Sequence, residues 1–390
     1  MLSLRLIPDL ALLASSTSDA VEARRQFRTN HASLRQLIAG SKRKDRLPDE
    51  VIDELVAGGV LRLLLPMACD GLELDGASVL VILEELASVS ASLAWTAMVA
   101  CDSPVLLSLL PKTTFESIYA HGPDVLLASS SIPAGTARKV DGGWRISGTW
   151  PFVSGNSHCE LVLTHSRDSA GATIASLHPR SDVTFIDDWR SLGLRATSSN
   201  SVQLDNAWAP DSHVFVVGEA TSCLDTPEMA IAPSEHFALQ MAAIACGVVK
   251  HMIDVVRTAR NGHLGRSPKR KFEDAALLSA LGEAVALLKI ARPALKQAMA
   301  ELIQPSSTDD DLAAHALPTS LAVARFVVAR CIASADAIFS LSGSSVVFEG
   351  DELQECTRDL HCIAQHANLS PGRFAQLGER VINSSPKHQP

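Results

Sequence analysis

The imidazole of His366 and the hydroxyl of Ser154 are two candidates for catalytic side chains in this sequence. An imidazole titrates near neutral pH, so His366 can take a proton from a phenol, an amine or an indole and can return one to a leaving hydroxide. Each residue taken alone favours a structural role, because a lone helical histidine and a serine in a turn occur in most folds. Their function therefore depends on the segments that contain them.

The sequence lacks the patterns of two common kinds of cofactor site. It contains no Gly-X-Gly-X-X-Gly run, so it has no NAD(P)H site of that type. Its eight cysteines form no Cys-X-X-Cys pair and no His/Cys cluster with zinc spacing, which predicts that no metal is bound and that the thiols are reduced, as in the cytoplasm. The cysteines are Cys69, Cys101, Cys159, Cys223, Cys246, Cys331, Cys356 and Cys362.

Composition and charge argue against several classes of protein. Of the 390 residues, 47% are hydrophobic and 20% are charged, which is typical of a globular chain with large cores. The net charge of −9 argues against nucleic-acid binding, and the one basic cluster, in residues 266–271, is interpreted as a solvated loop. Arg5, Pro8 and Asp9 interrupt the apolar N-terminus, and no apolar run is long enough to predict a signal peptide or a membrane span.

The spacing of apolar residues changes twice along the chain. Helical spacing in residues 18–122 gives way to alternation between Ser, Gly and Asp turns in residues 125–225. Long helices are predicted after that, at 235–260, 272–304, 318–342 and 352–367. The predicted fold class is α+β and mostly α, with an N-terminal helical domain in residues 1–124, a central β-barrel or sandwich in residues 125–228, and a C-terminal four-helix bundle in residues 229–390.

The β-rich region contains residues 142–155 (GGWRISGTWPFVSG). This run resembles the flavin-facing segment of the acyl-CoA dehydrogenase fold, and the order helical domain, β domain, helical bundle is the layout of that family. In the fold, a strand ending in aromatic-X-Ser/Thr lays a hydroxyl and backbone amides against the flavin near N5 and O4. The resemblance implies that Phe152, Val153 and Ser154 bind flavin. The Ser-Gly-X-X-His form resembles the flavin-dependent monooxygenase branch, in which Ser154 would support the flavin peroxide.

A second resemblance covers residues 189–200 (WRSLGLRATSSN), which are similar to the Gly-Met-Arg-Gly-Thr-X-Ser segment of the same family. Small and hydroxyl residues after Arg195 let the backbone pass close to the flavin ring or the substrate. The resemblance implies that Arg195 and Ser198 contribute to the cofactor site. From the residues alone, a simple β-hairpin crossing is an alternative.

The third resemblance lies near the C-terminus, where residues 339–345 and 352–359 are similar to the family's Gly-rich loop and Arg-Asp helix start. Many acyl-CoA dehydrogenases carry a catalytic Glu eight positions after that Asp, and counting from Asp359 leads to Ala367, whose methyl group cannot take a proton. The neighbouring residue is His366. A histidine here matches the monooxygenase branch, which includes two-component aromatic hydroxylases and dibenzothiophene oxygenases, and the resemblance implies that it is the base.

Four further side chains are candidates for the walls of the substrate pocket: Trp95, Cys101, Asp102 and Trp150. The branch commonly carries another active-site histidine after a segment like residues 92–95 (SLAW), and here Cys101 or Asp102 takes that neighbourhood. The substrate contacts are therefore expected to differ from those of the phenol hydroxylases. The sequence leaves open the substrate and the choice among C-, N- and S-oxygenation.

The resemblance implies the oxygenase component of a two-component flavin-dependent monooxygenase. A separate NAD(P)H-dependent flavin reductase would supply reduced FMN or FAD, and a C4a-hydroperoxyflavin formed with O₂ would oxygenate a small organic or natural-product substrate. The implied assembly is a cytoplasmic homotetramer that binds neither nucleic acid nor membrane. The alternative is a flavoenzyme that oxidises an acyl thioester, with Glu349 or Glu352 as its base, and a third interpretation is a flavin-fold protein without activity.

Overall fold

The computed structural model describes residues 5–41, 45–261, 274–303 and 319–383, and the basic cluster at 266–271 lies outside them. The chain divides into two compact units. The first unit comprises Met1–Asp75, Trp95–Ser191 and Arg195–Ala230, and the second comprises Gly76–Ala94, Leu192–Leu194 and Ile231–Pro390. The division into three domains at residues 124 and 228 stays a prediction.

Helices precede the sheet of the first unit. They are α1 (Leu10–Ala14), α2 (Ser18–Gly40), α3 (Asp49–Ala57) and, after α4 (Gly76–Ala87) of the second unit, α5 (Ala91–Cys101), α6 (Ser103–Leu107) and α7 (Lys112–Tyr119). The first turn of α3 contains Asp49 and Glu50, whose negative charges offset the helix dipole. Val51, Ile52 and Leu55 bury one face of this helix, so both its start and its packing follow from the sequence.

The sheet of the first unit contains the strands β1 (Leu127–Val140), β2 (Gly143–Trp150), β3 (Leu161–Arg167), β4 (Thr173–Pro179), β5 (Thr184–Ile186), β6 (Ser201–Pro210) and β7 (Val214–Val216). β1 and β3 pair in parallel, and the other neighbours are antiparallel. We expected a barrel or a sandwich, but these strands form one mixed sheet in the order β5-β6-β2-β1-β3-β4-β7. Alternation in a sequence reports which side of a strand is buried and not which strands pair.

Trp150 fixes the point where the chain leaves β2. Its indole is fully buried, and its Nε1–H donates to the carbonyl of His165. A Cβ at Gly135 would lie 2.1 Å from this ring, and a Cβ at Gly148 would lie 3.1 Å from it. The two glycines therefore make room for the indole inside the sheet. Residues 151–155, which follow Trp150, are thereby held at the end of β2.

The second unit contains long helices. They are α4, already described, α8 (Pro233–Asn261), α9 (Ala275–Ile303), α10 (Ser320–Leu341), α11 (Glu352–Ile363) and α12 (Gly372–Asn383). The helices expected at 235–260, 272–304 and 318–342 are confirmed with small shifts at their ends. The helix expected at 352–367 is shorter: its last backbone bonds tighten to i→i−3 contacts, and a 3₁₀ turn at Ala367–Leu369 follows. α12 was not expected.

Close backbone packing and two ion pairs tie α4 into this bundle. A Cβ at Gly247 of α8 would lie 2.3 Å from the carbonyl oxygen of Glu84, so α8 approaches α4 where only glycine fits. The guanidinium of Arg292 donates to both oxygens of Glu84, with Nε 2.8 Å from Oε1. Lys250 pairs with Glu85 at 2.7 Å. Both carboxylates are only 12% exposed, so loss of either basic partner would leave a poorly solvated negative charge.

α8 is, by length and composition, apolar enough to span a membrane over Pro233–Ala259. In an 18-residue apolar window of this helix, 78% of the residues are buried inside the protein. α8 contacts α4, α9, α10 and α11, which explains its apolar character. The expectation that no membrane is bound stays a prediction.

All eight cysteines are free thiols. Burial is the main cause that raises the pKa of five of them: Cys69, Cys101, Cys159, Cys223 and Cys362. For Cys246 the main cause is a hydrogen bond to Cys331, followed by burial. A raised pKa keeps each of these groups in the thiol form at neutral pH.

Candidate active site

The segment that contains Ser154 is fastened alongside β1. The Ser130 hydroxyl donates to the carbonyl of Pro151 at 2.8 Å. Ser129 and Ser154 form an isolated antiparallel bridge, and the side chain of Val153 is fully buried. The chain is thus anchored immediately before and at Ser154, which limits where the serine hydroxyl can point.

Three hydroxyl groups and one indole form a chain of contacts at this position. The Nε1–H of Trp95 donates to Ser154 Oγ at 3.1 Å. Ser154 Oγ lies 2.8 Å from Ser199 Oγ, which lies 2.7 Å from Thr197 Oγ1. We call these four side chains the hydroxyl chain. Sequence reasoning selected Ser154 but missed Ser199 and Thr197, although a run of hydroxyl residues preceding a strand was a visible signal.

A second polar network holds the neighbouring backbone. Asn156 donates through Nδ2 to the carbonyl of Asn200 at 2.8 Å and accepts through Oδ1 from the Ser198 hydroxyl at 3.1 Å. Asn200 Oδ1 accepts the backbone N–H groups of Asp188 and Trp189 at 3.1 and 2.9 Å. Ser198, expected to contact the flavin, is therefore engaged with Asn156 and is 2% exposed. Asn156 and Asn200 were not identified from the sequence.

Three of the six non-glycine residues with positive φ in the described part of the chain lie in the two segments that were expected to bind flavin. Phe152, Leu194 and Ser198 have φ values of 60°, 52° and 50°, a conformation that is costly for residues other than glycine. Phe152 is 59% exposed, and its ring meets that of Trp189 edge to face with centroids 6.2 Å apart. The side chain of Arg195 is also exposed. Strain of this kind persists at functional sites, where the surrounding contacts enforce it.

These features fit a flavin ring. An isoalloxazine needs an apolar surface against its ring and hydrogen-bonding groups along its polar edge. Phe152 offers an exposed aromatic surface, and Ser154 offers a hydroxyl two residues further along the chain. Gly155 has φ of 76°, so the chain can turn immediately after that hydroxyl.

The four side chains expected to line the substrate pocket lie in the interior of the first unit. Cys101, Asp102 and Trp150 have no exposed surface, and Trp95 is 7% exposed. A side chain without exposed surface lines neither a cleft nor a cavity large enough for water. Substrate contact at these positions therefore requires the surrounding helices and strands to open, and it stays a prediction. Trp95 meets Ser154 through its N–H instead of presenting its ring to a pocket.

In the second unit, residues 192–194 dock onto the last turns of α11. The Gly193 N–H donates to the Cys362 sulfur at 3.0 Å, and the Leu194 N–H donates to Asp359 Oδ1 at 2.6 Å. A Cβ at Gly193 would lie 2.5 Å from the carbonyl carbon of Arg358, so only glycine allows this approach. Asp359 of the Arg-Asp motif thus has an identifiable function in the fold, which is to hold this segment.

The environment of Asp359 makes this contact sensitive to pH. Burial raises the pKa of its carboxyl to about 7, and the negative charge of Glu355 adds to the rise. The Leu194 N–H and the charge of Arg358 act in the opposite direction. A carboxyl with this pKa changes its charge near neutral pH, unlike an ordinary aspartate.

His366, in the second unit, lies beyond the end of α11 and not on the helix where we expected it. Its Nδ1 accepts the backbone N–H of Asn368 at 3.3 Å and so caps the 3₁₀ turn. This contact assigns the proton of the neutral ring to Nε2. Burial lowers the pKa of His366 to about 4, so the ring is neutral at physiological pH. Its role as the base stays a prediction, and it requires Nδ1 to release Asn368.

The alternative bases of a dehydrogenase are placed differently. Glu352, in the first turn of α11, pairs with the Nε2 of His251 at 2.8 Å. Glu349 is exposed in the segment before that helix. The contact with His251 thus occupies a carboxylate oxygen of Glu352.

Comparison with known families identifies the chain. The family models "Acyl-CoA dehydrogenase, N-terminal domain" and "Acyl-CoA dehydrogenase, C-terminal domain" match residues 19–109 and 236–371, together more than half of the sequence. The chain belongs to the acyl-CoA dehydrogenase family. The expected mostly helical α+β fold is thereby confirmed.

Relatives along nearly the full length are monooxygenases. Indole-3-acetate monooxygenase of Pseudomonas putida is 26% identical, with 88% of this chain and 89% of the relative covered. The oxygenase component of p-hydroxyphenylacetate 3-hydroxylase of Acinetobacter baumannii is 24% identical, with 87% and 84% covered. XiaF from Streptomyces sp., solved with FADH2 and glycerol, has a TM-score of 0.82 at 22% identity over 95% of this chain and 98% of its own. Within its family the chain is the oxygenase component of a two-component flavin-dependent monooxygenase.

Proposed function

We propose that this oxygenase component binds FMNH₂ or FADH₂ in the first unit and uses it with O₂ to oxygenate a small organic or natural-product substrate. When bound, reduced flavin supplies the two electrons for O₂, so that one oxygen atom enters the substrate and the other leaves as water. The FADH2 in XiaF supports a reduced flavin, and a structural relative, KijD3, was solved with FMN. Both flavins therefore stay open for this chain.

The observation that carries the proposal is the hydroxyl chain at Ser154. Its members are buried, the segment that contains Ser154 is anchored to β1, and Phe152, two residues before Ser154, presents an exposed ring. Ser154 orients the polar edge of the flavin. Phe152 and Trp189 cover apolar ring surface and exclude water, which protects the reactive oxygen species from unproductive decay to H₂O₂.

His366 handles protons. Once Nδ1 has released the Asn368 N–H, the neutral ring takes a proton from the substrate at that nitrogen. The resulting imidazolium returns a proton from Nε2 to a leaving hydroxide, which departs as water and restores the neutral ring. A pKa of about 4 keeps the ring neutral, and so able to accept the proton, throughout the physiological pH range. Cys101 and Asp102 remain the candidates for the position of the second histidine of the branch.

The oxygenase depends on a separate NAD(P)H-dependent flavin reductase, because the sequence has no dinucleotide fingerprint of its own. Relatives described as oxygenase components or subunits support such a partner. We further propose a homotetramer in the cytoplasm, where the free thiols stay reduced.

The test compares flavin binding and O₂ consumption. The purified protein should bind reduced flavin more tightly than oxidised flavin, and it should form oxygenated product only when a flavin reductase and NAD(P)H are present. The reductase with flavin alone is the control for background O₂ consumption. Oxidised FAD that stays tightly bound and loses its visible absorbance when an acyl-CoA is added without O₂ would contradict the proposal and favour a dehydrogenase.

A further inference from the structure

We infer that Trp95, Ser199 and Thr197 are positioning residues that set the direction of the hydrogen bond between Ser154 and the flavin. The inference rests on the proposed function, since it takes Ser154 to meet the ring at N5. It goes further by assigning roles to three side chains that themselves do not touch the flavin. All four residues belong to the first unit.

The count of donors and acceptors at Ser154 is the first step. A serine hydroxyl has one proton to donate and two lone pairs. The Trp95 indole can only donate, so its contact at 3.1 Å occupies one lone pair. The contact with Ser199 at 2.8 Å uses either the proton or the second lone pair. Ser154 can therefore make one further hydrogen bond, to a ligand. It accepts that bond through its second lone pair if its proton goes to Ser199, and it donates that bond if Ser199 donates to it.

Thr197 makes both directions available. Its hydroxyl lies 2.7 Å from Ser199 Oγ, so the bonds can run from Ser154 to Ser199 to Thr197 or in reverse. Reduced flavin carries a hydrogen on N5, whereas oxidised flavin has a lone pair there. The forward direction lets Ser154 accept from reduced flavin, and the reverse direction lets it donate to oxidised flavin. The redox state of the ring thus selects the direction of the whole chain.

Because the hydroxyl chain is buried, loss of the Ser199 hydroxyl is expected to affect the complexes with reduced and with oxidised flavin to different extents. Ser154 is 9% exposed, Ser199 5% and Thr197 1%, so water cannot replace a missing partner easily. Without the Ser199 hydroxyl, the Ser154 proton has no acceptor in the reduced complex. In the oxidised complex only a lone pair lacks a donor, which costs less than a donor without an acceptor. Ser199 is therefore expected to stabilise bound reduced flavin more than bound oxidised flavin.

The experiment measures dissociation constants of both redox states of the flavin under anaerobic conditions, using FMN and FAD. We expect Ser199→Ala to weaken binding of reduced flavin about tenfold, the cost of one unpaired buried donor, with a smaller loss for oxidised flavin. Each tenfold change in the ratio of the two constants lowers the midpoint potential of the bound flavin by about 30 mV. Ser199→Thr keeps a hydroxyl and should restore both values, and Thr197→Val should act in the same direction as Ser199→Ala.

Two variants separate the direction of the chain from general damage. Trp95→Phe removes a bond that is the same in both directions, so it should weaken both redox states equally. Ser176→Ala is the matched control, because it removes a buried hydroxyl that contacts Thr164 at 3.1 Å and His178 Nε2 at 3.0 Å in the sheet of the same unit. It should leave both dissociation constants unchanged.

Equal weakening of both redox states by Ser199→Ala would overturn the inference. The inference would also be overturned if Ser199→Ala weakened the binding of reduced flavin by the same factor in a Ser154→Ala background, because Ser199 would then act independently of Ser154. A lower melting temperature with unchanged flavin binding would identify a purely structural role and would also overturn it. If Ser154→Ala itself leaves the binding of reduced flavin unchanged, the proposed flavin contact fails, which is a distinct result.

Discussion

The single hydroxyl of Ser154 is expected to decide where oxygen goes. Ser154→Ala removes the group that orients the polar edge of the ring, so reduced flavin should bind about tenfold more weakly and more of the consumed O₂ should appear as H₂O₂. The ratio of H₂O₂ to oxygenated product in the presence of reductase measures this loss. Ser154→Thr retains the hydroxyl and should keep most of the coupling. Unchanged H₂O₂ release in the alanine variant would contradict the assignment.

His366 can be tested without disturbing the turn that it caps. Asparagine also caps helix starts well, so His366→Asn should keep the contact to the Asn368 N–H while removing the titratable ring. We expect product formation to slow by about 10²–10⁴-fold, the usual contribution of a general acid or base. The dissociation constant of reduced flavin should not change.

The pH dependence provides a second check on His366. With a pKa of about 4, the neutral ring predominates from pH 5 upwards. Titration of His366 should therefore cause no change in the wild-type rate near pH 6.5, the ordinary pKa of histidine. The pH profiles of the wild type and of His366→Asn should have the same shape in this range. A change in the wild-type rate near this pH that His366→Asn lacks would mean that the ring titrates normally and is exposed during turnover. Full activity of this variant would return His366 to a capping role alone.

Residue types revealed only part of the candidate site. Ser154 and Phe152 were identified because they lie two residues apart and match a known motif. Ser199 lies 45 positions from its partner Ser154, and Trp95 lies 59 positions from it. Hydrogen bonds over such separations are set by the tertiary fold, which is why the indole of Trp95 was interpreted as a pocket wall.

The contact between residues 192–194 and α11 gives a prediction for stability. The pKa of Asp359 is about 7 in the folded state and about 3.9 in an unfolded chain, so between these values the folded state binds more protons. Stability attributable to this group therefore falls as pH rises from about 4 to 7, and the cost is fully present above pH 7. Asp359→Asn keeps an acceptor for the Leu194 N–H without the charge.

We expect Asp359→Asn to raise the free energy of unfolding at pH 8 by about 2 kcal/mol, allowing for the partial exposure of the carboxyl, and by much less at pH 5. Urea unfolding at both pH values measures the difference. Burial is the main cause of the raised pKa of Asp359 and the charge of Glu355 adds to it, so Glu355→Gln should shift the upper end of the pH window downwards. A gain that is equal at both pH values would contradict the assignment.

The helices were more predictable than the sheet. A Pro and N-cap signature at the start of α8, and Gly- and Pro-containing breaks after it, delimited α8, α9 and α10. Apolar spacing would also have found α12, in which Phe374, Leu377 and Val381 recur at helical intervals. The parallel pairing of β1 with β3 joins segments separated by β2, and no local pattern encodes it.

At the scale of the whole molecule, exposed apolar side chains on the second unit favour the proposed homotetramer. Ile290 of α9 is 68% exposed, Phe348 71% and Ile382 of α12 82%. Burying such side chains between subunits would remove them from water, with a gain of about 1.5–3 kcal/mol for each. The sequence indicated apolar helices here but not which of their faces the bundle itself covers.

Charged substitutions at these positions test the assembly. Ile290→Glu and Ile382→Glu should shift the mass measured by light scattering from a tetramer towards smaller species, since each places a charge where apolar contact is expected. Val21→Glu is the matched control, because Val21 is 61% exposed on α2 of the first unit. A wild-type protein that is a stable and active monomer would rule out the tetramer.

The buried thiols have a consequence for the lifetime of the enzyme. An oxygenase that consumes O₂ without oxygenating its substrate releases H₂O₂, and H₂O₂ oxidises the thiolate form of cysteine rather than the thiol. Burial and the Cys246–Cys331 contact hold six of the eight cysteines in the thiol form, including the half-buried Cys69, Cys223 and Cys362. These thiols are therefore expected to resist oxidation by the H₂O₂ that the enzyme releases. Variants that release more H₂O₂ should show a lower ratio of product to consumed O₂ well before the number of free thiols per chain falls.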